Sequence, residues 1–89
     1  MEQNIKDILE RIILNRQGVI IKPDISSNLV DDLGLDSLDH VLLWCAIEEA
    51  FLIKIPKEYS THKFDTVQDI IDVANKVKEE RYGQDTGKV

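Results

Sequence analysis

The amino-acid sequence predicts an all-α fold, and two observations support this expectation. Three segments of the 89-residue chain repeat apolar residues at helical spacing. The apolar runs that could form strands, 19–21 and 52–55, are too short and too isolated to make a sheet. A chain of this length holds one domain with a modest core, so we expect a single small bundle of helices.

The first helix is predicted from an aliphatic stripe near the N-terminus. Its members follow the i, i+3, i+4, i+7, i+8 pattern of a helix with one apolar face: Ile5, Ile8, Leu9, Ile12 and Ile13. Gly18 is expected to end this helix. Residues 19–34 lose the helical period and contain Pro23 and Gly34, which predicts a long structured loop. Loops of this length in a small domain are usually functional.

The second helix, predicted for 37–51, is apolar on two sides. One face has the spacing of an ordinary core: Leu43, Ala46, Ile47, Ala50 and Phe51. A second face carries Leu38, Val41, Leu42 and Cys45 and ends in Glu48 and Glu49. The pattern alone leaves two interpretations open. The second face is either a partly exposed docking stripe rimmed by acids, or it is covered by the long loop.

The C-terminal third of the sequence predicts a short helix and then a long one. Pro56 ends the segment after the second helix, and a turn of helix is expected around 57–61. Thr66, with Asp69 three residues later, has the pattern of a capping box at the start of the last helix. Beyond residue 82 the sequence is polar and contains glycine, so the predicted domain is 1–82 and 83–89 is a predicted disordered tail.

The formal net charge of −6 is unevenly distributed along the chain. Between Pro23 and Ile53 there are seven acids and no Lys or Arg, whereas the remainder holds ten acids and eleven bases. Such a region repels nucleic acid and attracts basic protein surfaces, although a solvated acidic face is the simpler alternative. With one cysteine, no membrane-length apolar run and an N-terminus unlike a targeting peptide, we expect a soluble cytoplasmic protein.

The start of the second helix is the candidate functional site. Asp36 precedes the first turn and Asp39 follows three residues later, so Asp36 is a good candidate for the N-cap. If Asp36 caps the helix, the hydroxyl of Ser37 faces solvent at the positive end of the helix dipole. An attached phosphate there gains ~0.3–1 kcal/mol. The alternative is that Ser37 itself is the cap.

The segment Leu33-Gly34-Leu35-Asp36-Ser37-Leu38-Asp39, followed by Ile47-Glu48-Glu49-Ala50-Phe51 and Ile55-Pro56, resembles the acyl carrier protein family. The resemblance covers nearly the whole chain. It implies a four-helix bundle with a long loop between the first two helices and a short third helix. It also implies that Ser37 carries a covalent 4′-phosphopantetheine arm, transferred from coenzyme A by a phosphopantetheinyl transferase, and that Asp36 assists through the metal ion of that enzyme.

The resemblance further implies a monomeric carrier rather than an enzyme, with no metal site of its own. Such a carrier holds acyl groups as thioesters and presents them to fatty acid, lipid or polyketide biosynthesis enzymes through basic docking patches on those enzymes. The residues implied to contact partners are Leu38, Asp39, Val41, Leu42, Cys45, Glu48 and Glu49.

Three residues depart from the fatty-acid carriers of this family. Leu42 and Ala50 stand where acids are frequent, and Trp44 stands where a small aliphatic residue is usual. A specialised carrier for a secondary metabolite or a particular lipid is therefore an alternative. An aminoacyl or peptidyl carrier is a further one, although peptidyl carriers usually have Gly-Gly-His before the serine.

Two other functions could draw on residues of the same region. A hydrolase could be built from Ser37, His40 and Asp36, but Asp36 is expected to act as a cap, and the segment lacks the glycines of a nucleophile elbow. A calcium loop opening at Asp32 would need glycine at its sixth position and glutamate at its twelfth, where this chain has Ser37 and Leu43. Both patterns are weaker than that of a carrier.

Overall fold

The computed structural model describes residues 2–60 and 64–87. Within them are four α-helices: α1 (Glu2–Gln17), α2 (Ser37–Phe51), α3 (Lys57–Ser60) and α4 (Val67–Gly87). Helix α1 packs against α2 and α4, and α3 packs against α2. The predicted all-α class is confirmed, with a long loop between α1 and α2 and a third helix of 4 residues. None of the described helices is long and apolar enough to cross a membrane.

The core is built from the helical stripes that the sequence predicts. Ile5, Leu9 and Ile13 of α1 are completely buried. Helix α2 adds Leu43, Trp44 and Ile47, and α4 adds six further apolar residues: Val67, Ile70, Ile71, Val73, Ala74 and Val77. Burial of these side chains holds α2 in place, because removing one large apolar side chain from water stabilises the fold by roughly 1.5–3 kcal/mol.

The loop between α1 and α2 is anchored in the bundle at its second half. Leu29, Leu33 and Leu35 are buried, and Leu35 leads directly into the start of α2. Gly34 has a φ of 67°, in the left-handed region that glycine adopts without strain. The side chain of Gln17 donates to the carbonyl oxygen of Leu33 at 3.0 Å, so the end of α1 fixes this turn.

The same loop also supplies partners for the free backbone groups at the start of α4. The N–H groups of Val67 and Gln68 donate to carbonyl oxygens of Ser27 and Ile25, at 3.1 and 2.9 Å. The predicted capping box is present as well: the N–H of Asp69 donates to Thr66 Oγ1 at 3.3 Å, and the N–H of Thr66 donates to Asp69 Oδ2 at 3.1 Å. The loop, α2 and α4 are therefore tied into one unit.

Helix α4 continues to Gly87. Its last turns thus extend into 83–89, the range for which the sequence predicts a disordered tail, and the domain boundary at residue 82 stays a prediction. The short helix was predicted around 57–61, and α3 covers Lys57–Ser60 of that range. Residue 61 lies outside the described residues.

Candidate functional site

Helix α2 begins with a reciprocal pair of hydrogen bonds between Asp36 and Asp39. Oδ1 of Asp36 accepts from the N–H of Asp39 at 2.9 Å, and Oδ2 of Asp39 accepts from the N–H of Asp36 at 3.1 Å. The backbone of Asp36 is extended, with φ −105° and ψ −173°, as expected for a residue at the N-cap. Asp36 is therefore the cap, and the alternative that Ser37 fills this role is wrong.

Ser37 is the first residue of α2, and it is exposed to solvent. Because Asp36 caps the helix, the Ser37 hydroxyl is not needed for the fold, and it makes no hydrogen bond to any residue that the structure describes. The hydroxyl lies at the positive end of a 15-residue helix, beside backbone N–H groups without intrahelical partners. This geometry suits a phosphate ester that points into solvent.

Arg16, near the end of α1, joins both carboxylates of this helix start. Its Nε donates to Oδ1 of Asp39 at 2.7 Å, and its Nη2 lies 3.6 Å from Oδ2 of Asp36. The hydrogen bond to Asp39 raises the pKa of the Arg16 guanidinium. The pKa of the Asp36 carboxyl is lowered, chiefly by the hydrogen bond from the Asp39 N–H and further by the charge of Arg16. Asp36 is thus an exposed, ionised carboxylate beside Ser37.

The placement of Asp39 differs from the expectation that this residue contacts partner proteins. Its side chain is only 3% exposed, and both of its oxygens accept hydrogen bonds from within the fold. A carboxylate is tolerated in a buried position only when its oxygens are paired in this way. Asp39 therefore belongs to the structural support of the site, and its surface role in the sequence-based expectation does not fit its placement.

The second apolar face of α2 is open to solvent. Leu38 is 51% exposed, Val41 52% and Leu42 39%, and Cys45 is also exposed. The long loop does not cover these side chains, so the docking-stripe interpretation of the sequence fits the structure. We call Leu38, Val41, Leu42, Cys45 and the exposed Glu49 the candidate docking surface, or docking surface for short.

Glu48 has a structural role in addition to its place beside the docking surface. It is half-buried, and its Oε2 accepts a hydrogen bond from the N–H of Ile55 at 2.7 Å. This bond holds the segment after α2 against the helix. An open groove of about 430 Å³ lies at this end, lined by Cys45, Glu48, Glu49, Leu52, Ile53 and Lys54.

Leu52 is a surface feature that the sequence reasoning missed. It ends α2 with φ 55° and ψ 46°, in the left-handed region, and its side chain is 76% exposed. The left-handed conformation is disfavoured for a residue that has a side chain. Its position directly after the last periodic residue of the helix could have indicated the left-handed conformation, because glycine or asparagine is typical there.

His40 and Asp36 do not have the partners that a hydrolytic triad with Ser37 would need. Nδ1 of His40 lies 2.8 Å from the carbonyl oxygen of Asp36, and the Asp36 carboxylate accepts the N–H of Asp39 instead of orienting an imidazole.

Trp44 is 3% exposed and meets the ring of Phe64 edge to face, with 5.7 Å between ring centroids. Trp44 is therefore a core residue.

Comparison with known proteins identifies the family. The family model described as "Phosphopantetheine attachment site" matches residues 4–74. The acyl carrier protein of Syntrophobacter fumaroxidans (strain DSM 10017 / MPOB) is 50% identical over 70 residues, which cover 75% of this chain and 83% of that protein. The exposed serine at a helix N-terminus fits the covalently attached 4′-phosphopantetheine that these matches imply. The chain belongs to the acyl carrier protein family.

Proposed function

We propose that the 4′-phosphopantetheine group is attached to Oγ of Ser37, and that the protein carries acyl groups as thioesters on the thiol of that arm. The observation that supports this most directly is the division of roles at the start of α2. Asp36 satisfies the helix end, whereas the Ser37 hydroxyl is exposed and free of hydrogen bonds to the described residues. When bound, the group supplies a long flexible arm that ends in a nucleophilic thiol.

Attachment is a phosphoryl transfer from coenzyme A. Oγ of Ser37 forms a bond to the phosphorus that bears pantetheine, and the bond from this phosphorus to the bridging oxygen of the nucleotide part breaks. The nucleotide leaves with that oxygen as a bisphosphate, and the serine proton passes to a base of the transferase. Asp36 supports this step as an exposed carboxylate next to Ser37 that is able to face the metal ion of the transferase.

The docking surface supports the proposal that partners recognise α2. It combines exposed apolar side chains with acids, in the part of the sequence that contains no Lys or Arg. A basic enzyme surface is steered towards such a region, and charge steering supports the fast arrival and departure that a carrier needs. We propose that the partners are the transferase and acyl-transferring, condensing or ligating enzymes, met by a monomeric carrier in the cytoplasm.

A specialised carrier is the second candidate, within the same general function. Leu42 is 39% exposed and Ala50 is also at the surface, so both substitutions for frequent acids fall where a partner could contact them. This observation favours cargo of a particular lipid or secondary metabolite over bulk fatty acid synthesis. An aminoacyl or peptidyl carrier has no comparable support among the described residues.

Attachment is tested by mass spectrometry after incubation with coenzyme A and a broad-specificity transferase. Wild type should gain one phosphopantetheinyl group, and Ser37→Ala should gain none while keeping the same circular dichroism spectrum. Ser26→Ala is a matched control, because Ser26 is another exposed serine but lies in the loop. Modification of a different residue, or of none in the folded wild type, would overturn the proposal.

A further inference from the structure

Two buried nitrogen atoms of α2 have no hydrogen-bond partner in the part of the chain that the structure describes. They are Nε1 of Trp44 and Nε2 of His40. Buried polar atoms are nearly always paired, because burial removes the water that would otherwise satisfy them. Trp44 is only 3% exposed, so solvent does not reach its Nε1. Each atom is therefore able to form a hydrogen bond to a polar group that enters the bundle beside it.

The hydrogen-bonding character of each atom follows from its surroundings. Nδ1 of His40 lies 2.8 Å from the carbonyl oxygen of Asp36, and a carbonyl can only accept, so Nδ1 carries the proton. In the neutral ring Nε2 is then an acceptor. The indole Nε1–H of Trp44 can only donate. Helix α2 thus presents one buried acceptor and one buried donor.

The two side chains are neighbours on the helix and follow the proposed attachment residue. His40 comes one turn after Ser37 and Trp44 one turn after His40, and residues four apart lie on the same helix face. The Trp44 ring packs on Phe64, and α3, only 4 residues long, packs on the same helix. Along α2 from Ser37, His40 therefore comes first and the Trp44–Phe64 pair comes next.

We propose that His40 and Trp44 bind a hydroxyl group on the acyl chain that the protein carries, and so select hydroxylated cargo. The inference rests on the proposed attachment to Ser37. A hydroxyl accepts from Nε1–H of Trp44 and donates to Nε2 of His40, whereas a saturated chain leaves both atoms unpaired and a keto group pairs only with Trp44. The apolar remainder of the chain lies against the rings of Trp44 and Phe64.

The test uses the single tryptophan of the chain as its reporter. The protein is loaded through a broad-specificity transferase from coenzyme A thioesters of equal chain length. One is saturated, one carries a β-keto group, and three carry a hydroxyl at the β, γ or δ carbon. Mass spectrometry first confirms loading on Ser37, so failure at this stage counts against the proposed function. The indole N–H signal of Trp44 is then compared by NMR across the loaded forms.

We expect a downfield shift of the indole proton for at least one hydroxylated chain relative to the saturated chain. The same chain should shift the Nε2 resonance of His40 and raise the midpoint of thermal unfolding above that of the saturated form. An identical indole signal for all five chains would overturn this inference while leaving the attachment proposal intact. A signal that already indicates a hydrogen bond in the unloaded protein, and that no cargo changes, would assign the atoms to a bound water and overturn it equally.

Variants separate recognition from general packing. Trp44→Phe keeps the aromatic ring and removes the N–H, and His40→Leu removes the acceptor; each should abolish the difference in unfolding midpoint between hydroxylated and saturated forms. Val30→Ala, at an exposed loop residue outside α2, should retain the difference. If both α2 variants retain it, the pair does not recognise the hydroxyl. The NMR comparison in wild type decides the question if either variant fails to fold.

Discussion

Arg16 donates its Nε–H to Oδ1 of Asp39 at 2.7 Å and thereby connects the end of α1 to the first turn of α2, 23 residues along the chain. The second oxygen of the same carboxylate accepts the N–H of Asp36. One buried carboxylate therefore performs two tasks: it holds two helices together and it completes the cap that leaves Ser37 free. The position of the proposed attachment residue depends on this pair.

We predict that Asp39→Asn destabilises the fold. An amide keeps one acceptor but turns an NH₂ group towards either the Arg16 guanidinium or the Asp36 N–H, both of which are donors. The loss of a charge-assisted hydrogen bond at a buried group costs about 1.5–3 kcal/mol. Urea unfolding measures this change, and Asp31→Asn, at an exposed loop residue, is the matched control. Equal stability of the two variants would mean that Asp39 has no structural role.

The lowered pKa of the Asp36 carboxyl predicts a specific acid sensitivity. In the unfolded chain the pKa of an Asp is about 3.9, and the pKa of Asp36 in the fold is lower, so protonation is harder in the fold. The stability that Asp36 contributes is fully present above the ordinary value and is lost as pH falls through the folded pKa. Asp36→Asn keeps a capping oxygen and does not titrate.

We therefore expect wild type to be the more stable of the two near neutral pH, and to lose more stability than Asp36→Asn between about pH 5 and about pH 2. Urea unfolding across this range measures the difference in slope, and Asp31→Asn again serves as the control. Parallel curves for wild type and Asp36→Asn would show that the interactions around Asp36 do not favour its ionised form.

Local patterns in the sequence were sufficient to predict the helices and their caps. The boxes Asp36–Asp39 and Thr66–Asp69 each join residues three apart, so the spacing alone identifies them. The pairing of Arg16 with Asp39 could not be predicted, because it joins distant residues and many other bases were available. For the same reason Asp39 was expected at the surface: helical spacing does not distinguish an exposed acid from one that a distant arginine covers.

The end of α2 was harder to predict than its start. The carboxylate of Glu48 accepts the N–H of Ile55, a contact that depends on the path of the chain after the helix. Leu52 lies in a left-handed conformation that its residue type disfavours, so tertiary packing around Ile53 and Ile55, both buried, outweighs local preference. Sequence pattern indicates where this helix stops but not the backbone geometry that follows.

Leu52→Gly should stabilise the protein. Glycine adopts the left-handed region without the steric conflict of a side chain, and the exposed Leu52 contributes little apolar burial. After subtraction of the greater backbone entropy of glycine in the unfolded chain, the gain should be about 1 kcal/mol. Leu52→Ala retains the conformational penalty and should show no such gain in urea unfolding. A loss of stability in Leu52→Gly would indicate that the leucine side chain packs favourably on its neighbours.

The last prediction concerns the kind of enzyme that the docking surface meets. Exposed charge pairs contribute about 0.2–1 kcal/mol each, and they accelerate encounter at low salt. Burial of a large aliphatic side chain by a matching partner contributes about 1.5–3 kcal/mol. With Leu42 exposed beside Leu38 and Val41, we propose that the surface fits partners that are more apolar and less basic than the enzymes of fatty-acid elongation. We expect Leu42→Glu to increase kcat/KM with fatty-acid elongation enzymes, because it adds an acid on a surface that their basic patches recognise.

The experiment compares acyl-loaded wild type and Leu42→Glu as substrates of these enzymes. Val30→Glu adds the same charge at an exposed residue outside α2, so it controls for net charge alone and should give a smaller increase. If wild type already matches a dedicated fatty-acid carrier and Leu42→Glu gains nothing, the specialised-carrier proposal fails, because the apolar residue then has no effect on partner choice. The attachment of the arm to Ser37 is tested separately and does not depend on that result.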